Sequence, residues 1–295
     1  MDNYKKLKII WNSNCKNTEY KSLSIWKDYL VVSSKFSHKI KLFNKNNGNY
    51  VKELRTNKKF RFDEDPQEEI VINNYLFIID SKQSKCSIFD LEKNHVISVF
   101  GFKNLKNPKY LSGYFQNQIY ILHIFDYDTN NIIEFKLEID NNEIKNLKSS
   151  ILCKLEYTKL DKIYIDYDMN QILASSYTDS KLLIFNFNGV KINELNIHVE
   201  NMASYNEYYL FTDKSKDSNM LHLYNKNSLS YISSHYSKYS RYINNIISKD
   251  NDIFIIDNRC SILKIELDNV IDTKLSVNNL IIFGTLSYLL LKLLK

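Results

Sequence analysis

The sequence predicts an all-β fold, a six-bladed β-propeller, and three observations carry that prediction. Six segments share one grammar: an apolar β-rich run, a polar break, a second apolar run, then a tight Asn-rich turn and another strand. The segments begin at residues 29, 75, 119, 172, 209 and 253, spacings that suit one four-stranded blade per repeat. The 295 residues are 44% hydrophobic and 14% aromatic, enough to bury a large core.

Taken in order, the units read as paired strands. The first has Tyr29-Leu-Val-Val-Ser-Ser34 and Ile40-Lys-Leu-Phe43, the second Tyr75-Leu-Phe-Ile-Ile-Asp80 and Cys86-Ser-Ile-Phe89. The third has Ile119-Tyr-Ile-Leu-His123 and Ile132-Ile-Glu-Phe135, the fourth Ile172-Leu-Ala-Ser-Ser176 and Leu182-Leu-Ile-Phe185. Tyr209-Leu-Phe-Thr-Asp213 with Leu221-His-Leu-Tyr224, and Ile253-Phe-Ile-Ile-Asp257 with Ile262-Leu-Lys-Ile265, complete the set. Each run is short, rich in Ile, Leu, Phe and Tyr, and bounded by polar clusters. Asn46-Asn-Gly-Asn49 and Asn186-Phe-Asn-Gly189 supply residues that tolerate positive φ in hairpin turns. The sixth unit ends near Leu267 without a closing hairpin, whereas Lys6-Leu-Lys-Ile-Ile-Trp11 precedes the first. An N-terminal strand pairing into the last blade therefore closes the ring and removes two sheet edges.

The propeller is assigned to residues 1–268 and a C-terminal tail to 269–295. Leu280–Leu291 is an apolar run followed by Lys292-Leu-Leu-Lys295. It is shorter than the ~20 residues a spanning helix needs, so it reads as a docked helix, a closing strand or a short membrane anchor through 280–295.

Composition excludes several function classes. With 5 Gly there is no GxGxxG or GxxxxGK phosphate cradle. The net charge of +6 comes almost wholly from Lys; Arg55, Arg61, Arg241 and Arg259 are the only Arg, and no basic stripe forms, so nucleic acid is not expected as a partner. Cys15, Cys86, Cys153 and Cys260 lack zinc spacing and read as reduced thiols, with a disulfide pair as the alternative. Met1-Asp-Asn-Tyr-Lys-Lys6 lacks a signal-like apolar region, and the Asn-rich chain has no N-x-Ser/Thr sequon. A cytoplasmic location, with tethering by the tail, is the expectation.

One family pattern emerges from the middle of the chain. Pro66-Gln67, Asn74-Tyr-Leu-Phe-Ile-Ile-Asp80, Ser87-Ile-Phe-Asp-Leu91, Phe100-Gly101 and Leu105-Lys-Asn-Pro108 resemble the six-bladed β-propeller phytases of the 3-phytase type, and the order is also similar to NHL-type propellers. Tyr209-Leu-Phe-Thr-Asp-Lys214 with Leu221–Leu229 extends the likeness, which spans residues 20–267. The resemblance implies a phosphomonoesterase that uses clustered Ca²⁺ to remove phosphates from inositol hexakisphosphate. Hard cations held by carboxylates would offset phosphate charge and activate water.

Carried over position by position, the resemblance implies a depleted site. Asp161, in Leu160-Asp161, and Glu200, in Glu200-Asn201, keep the family's acids and are the catalytic candidates. Asn244 replaces a carboxylate, Lys21 and Ser22 replace paired aspartates, and Asp80-Ser81 stands where relatives carry Glu-Arg. Lys214 replaces a glutamine and is the substrate-binding candidate. Asp80, Asp161, Glu200, Asp213 and Asp257 are the metal candidates. Asp80, Asp213 and Asp257 recur at the ends of strands expected to be inner ones, which suits either a carboxylate ring at one mouth or turn-starting Asx residues. The six His have no metal spacing, and no Ser/His/Asp arrangement or GxSxG elbow stands out. Tyr231, Tyr236, Tyr239 and Tyr242, with Lys238 and Arg241, form either a recognition surface or a blade connection. The expectation is a phytase-like scaffold without a cofactor, binding a protein or small anionic ligand at one face. The alternative is a Ca²⁺-dependent phosphatase acting on inositol phosphates.

Overall fold

The computed structural model describes residues 5–6, 8–14, 20–34, 39–55, 66–157, 159–176, 178–213, 220–236, 243–257 and 261–267. All regular structure among them is β, in six sheets that form the blades of a propeller. Blade I comprises Tyr20–Trp26, Tyr29–Ser34, Lys39–Asn44 and Tyr50–Arg55; blade II comprises Pro66–Ile72, Tyr75–Asp80, Lys85–Asp90 and His95–Phe100. Blade III has Pro108–Gln116, Ile119–Asp126, Asn131–Asp140 and Glu143–Lys154, and blade IV has Lys162–Asp166, Gln171–Ser176, Lys181–Asn186 and Lys191–Leu195. Asn201–Tyr205, Tyr208–Thr212, Met220–Asn225 and Tyr231–Tyr236 make blade V.

Blade VI draws Ile243–Lys249, Asp252–Asp257 and Ser261–Glu266 from the end of the chain and its outermost strand, Lys8–Asn14, from the beginning. Lys8 pairs antiparallel with Glu266, and Asn14 with Ser261. The N-terminal closure read from the sequence is thus present. One detail was not anticipated: Lys5–Lys6 runs parallel to the outer strand of blade V, at His235 and Tyr236. The N-terminal segment therefore crosses from blade V to blade VI.

The most legible apolar runs are the second strands of the blades. Tyr75–Asp80, Ile119–Asp126, Gln171–Ser176 and Asp252–Asp257 are buried at every position after the first. Each presses one face on the preceding blade and the other on the next, so alternation disappears from its sequence. Burial is divided among six apolar clusters, one at each seam between neighbouring blades. The seam between blades VI and I, where the ring closes, packs Phe254, Ile256 and Ile262 against Tyr20, Leu23 and Phe43.

The scarcity of Gly is balanced by Asn. Among the described residues, nine of the sixteen non-glycine residues at positive φ are Asn. Asn141-Asn142 and Asp250-Asn251 have positive φ at both central positions, the twist a two-residue hairpin requires. Asn44, Asp90 and Asn225 end the third strands of three blades, and each side-chain oxygen accepts amides two and three residues on. Gly113 serves a different end. A Cβ there would lie 2.5 Å from the Ile121 carbonyl oxygen and 2.8 Å from Leu122. Gly113→Ala is expected to destabilise by about 2 kcal/mol through overpacking, read as a lowered urea midpoint at unchanged m-value.

Residues 269–295, Lys214, Cys15, Cys260, Tyr239, Tyr242, Lys238 and Arg241 lie outside the described residues. Among those described, no helix is long and apolar enough to cross a membrane. Cys86 and Cys153 are free and buried, and burial pushes the Cys153 thiol up to about 11.

Candidate functional site: the axial cavity and its rim

The channel is lined by the first strand of each blade, not by the runs that dominate the sequence. Those six strands run the same way along the axis, so their beginnings share one mouth. Register places the candidate acids there. Asp80 pairs with Pro66, and Asp257 with Ile243. Asp213 follows Thr212, which pairs with Asn201. Asp161 and Glu200 immediately precede the first strands of blades IV and V, donating their amides to Ser175 O (2.9 Å) and Thr212 O (2.7 Å). Asp80 and Asp257 terminate second strands, one layer out from the axis, and Asp213 directly follows one.

Local chemistry at these acids differs. Asp80 Oδ1 accepts the Gln83 amide at 3.1 Å, and Asp257 Oδ1 accepts the Ser261 amide at 2.8 Å, both as turn caps beneath a buried surface. Asp126 holds the equivalent place in blade III, paired with Pro108 and accepting amides from Lys106, Asn107 and Thr129. Sequence reading ended that strand at His123 and missed it. Asp213 Oδ2 lies 3.7 Å from His222 Nε2. A Ca²⁺ ion needs six to eight oxygens on converging ligands. Among the described residues no group of three or more His, Cys, Asp or Glu is placed to hold a metal ion, so the described acids do not supply such a set.

Inside this rim lies a cavity of about 360 Å³, bordered by all six first strands. Its polar end gathers Glu68 from blade II, Lys162 from blade IV, Asn201 from blade V and Asn245 from blade VI, with Ser22 of blade I supporting Glu68. Ser22 Oγ accepts the Glu69 amide at 3.0 Å and donates to Glu68 Oε1 at 3.1 Å, fixing the carboxyl that enters the void. Burial holds Glu68 above the usual carboxylate range, while Lys162, Ser22, Asn245 and the Glu69 amide draw it back. Asn201 Nδ2 donates to Thr212 Oγ1 (3.1 Å) and Ile243 O (2.8 Å), tying blade V to blade VI.

Glu69 is the outlier. It is 4% exposed, and among the described residues neither carboxyl oxygen has a hydrogen-bond partner. Burial pushes its pKa up to about 8, the nearby Ser33 hydroxyl and amide opposing only in part and the Glu68 charge adding to the rise. No sequence signal separated Glu68 and Glu69 from an exposed acidic pair.

Further along the wall, hydroxyls form a relay. Tyr167 Oη lies 2.9 Å from both Ser112 Oγ and His123 Nδ1, and His123 Nε2 lies 3.3 Å from Glu134 Oε2. Lys136 Nζ closes the chain at 2.8 Å from Glu134 Oε1. Burial lowers the His123 pKa, so the neutral ring accepts from Tyr167 and donates to Glu134. Ser112 reaches His123 only through Tyr167, so the wall has no directly paired nucleophile and base.

No known protein-family profile matches the chain, and no curated protein matches it. Solved structures do match. BamB from Moraxella catarrhalis superposes with a TM-score of 0.51 at 10% identity, covering 85% of this chain and 84% of that one. The computationally designed Ika8 protein superposes with a TM-score of 0.51 at 8% identity, covering 88% of this chain and 100% of that one. At such identities the likeness is one of fold alone; the six blades are those of this chain's own sheets.

Proposed function

We propose that this chain is a phytase-like propeller scaffold that binds its ligand or protein partner at the cavity mouth without catalysis. One observation carries the reading. The rim acids are distributed over five blades, with Asp80, Asp126 and Asp257 engaged in capping turns, while the mouth offers a cavity to which every blade contributes. A Ca²⁺-dependent phosphate-cleaving centre instead needs carboxylates converged on cations that activate water. The alternative, a Ca²⁺-dependent phosphatase using Asp161 and Glu200, makes a distinct prediction. Incubated with inositol hexakisphosphate and added Ca²⁺, the purified protein is expected to release no phosphate above background. Turnover that Glu200→Ala abolishes would establish the enzyme and overturn the scaffold.

A further inference from the structure

The chemistry of the cavity narrows what it can hold. Two oppositely charged groups, Glu68 and Lys162, border its polar end from different blades. Glu69 also borders the cavity, but its carboxyl oxygens are buried and burial favours the uncharged acid. Lys249 borders the opposite end and is exposed. Ser22 orients the Glu68 carboxyl, and Tyr110 and Tyr164 are among the residues that line the cavity. The volume of about 360 Å³ falls within the range of small-molecule sites. At ~30 Å³ per water it has room for about a dozen non-hydrogen atoms.

We propose that the axial cavity binds a small zwitterion, its ammonium group against Glu68 and its acidic group against Lys162. A simple amine would meet Glu68 but confront Lys162 with a second cation. A simple carboxylate would satisfy Lys162 and repel Glu68. Only a molecule carrying both charges pairs each wall group with its opposite, and unpaired charge in a desolvated site is heavily disfavoured. Burial leaves the Glu68 carboxylate incompletely compensated despite Lys162. An arriving ammonium supplies what is missing, so binding weakens as acid protonates Glu68.

The inference rests on the binding-module reading and is tested separately from it. The full chain is titrated by calorimetry and thermal melting with 2-aminopentanoate, 5-aminopentanoate, pentylamine and pentanoate. At least one aminopentanoate is expected to bind about tenfold tighter than both singly charged analogues. Glu68→Gln should erase the advantage over pentanoate, and Lys162→Met the advantage over pentylamine. The two variants thus shift selectivity in opposite senses, which a merely structural role would not do. Equal affinity across the series, no binding of any member at millimolar concentration, or unchanged selectivity in both variants overturns the proposal. If one variant fails to fold, the wild-type series and the other variant decide. Failure here leaves the scaffold standing, because that reading falls on phosphate release.

Discussion

Glu69→Gln is expected to stabilise the protein increasingly as pH rises, from almost nothing near pH 4 to about 5 kcal/mol above pH 8. The group ionises near 4.5 when exposed in the unfolded chain and near 8 in the fold. Between those values the folded state holds a proton that the unfolded state has released. Stability therefore declines with rising pH across this window, and the decline is complete once both states are ionised. Below 4.5 both states are protonated and the group is neutral in its effect. Glutamine mimics the protonated acid and removes the slope. His123 contributes with the opposite sign. Its lowered pKa means the unfolded ring takes up a proton that the folded one refuses, so stability is lost as pH falls below the unfolded His value. Because both proteins carry His123, the difference between their urea denaturation curves removes its contribution and leaves that of Glu69 together with its coupling to Glu68. Parallel curves from pH 5 to pH 9 would show that Glu69 is compensated in solution.

The sequence disclosed the layers of the propeller unequally, for reasons visible in particular residues. Phe77, Ile78 and Ile79 stand out because both faces of their strand meet a neighbouring blade. The channel-lining strands are harder to see. Lys162-Ile-Tyr-Ile-Asp166 and Asn201-Met-Ala-Ser-Tyr205 span only five residues each, and their side chains divide between two seams: Ile163 and Ile165 join one and Tyr164 the next, Met202 joins one and Ala203 and Tyr205 the next. Glu68-Glu69 reads as solvated charge because nothing local announces that six strands converge on it. The capping role of Asp80 and Asp257 was legible as periodicity, because a turn recurring once per blade demands the same side chain. Local pattern thus identified the blades and the rim. The cavity chemistry depends on which residues six distant strands bring together, and no segment encodes that by itself.

The closure between the two ends of the chain supplies the second large effect. Trp11, on the outer strand of blade VI, packs its ring 5.9 Å from Phe254, donates Nε1 to the Lys45 carbonyl of blade I at 3.2 Å, and lies against Gly48. One side chain thus joins a strand from the start of the chain to a strand from its end and to the next blade. Trp11→Ala is expected to destabilise by about 3 kcal/mol, the range for truncating a large packed aromatic. The ring makes the consequence more specific than a lower midpoint. Five seams join blades consecutive in sequence, whereas the sixth closes only through residues some 250 positions apart, so its loss reopens two sheet edges. The chain contains two tryptophans, Trp11 and Trp26, which permits a direct measurement. In Trp26→Phe, all indole fluorescence reports the closure, and its transition is expected at lower urea than loss of β-sheet circular dichroism. Coincident transitions would mean that the seam opens only with the whole ring, and the closure would then be as strong as any seam between neighbouring blades.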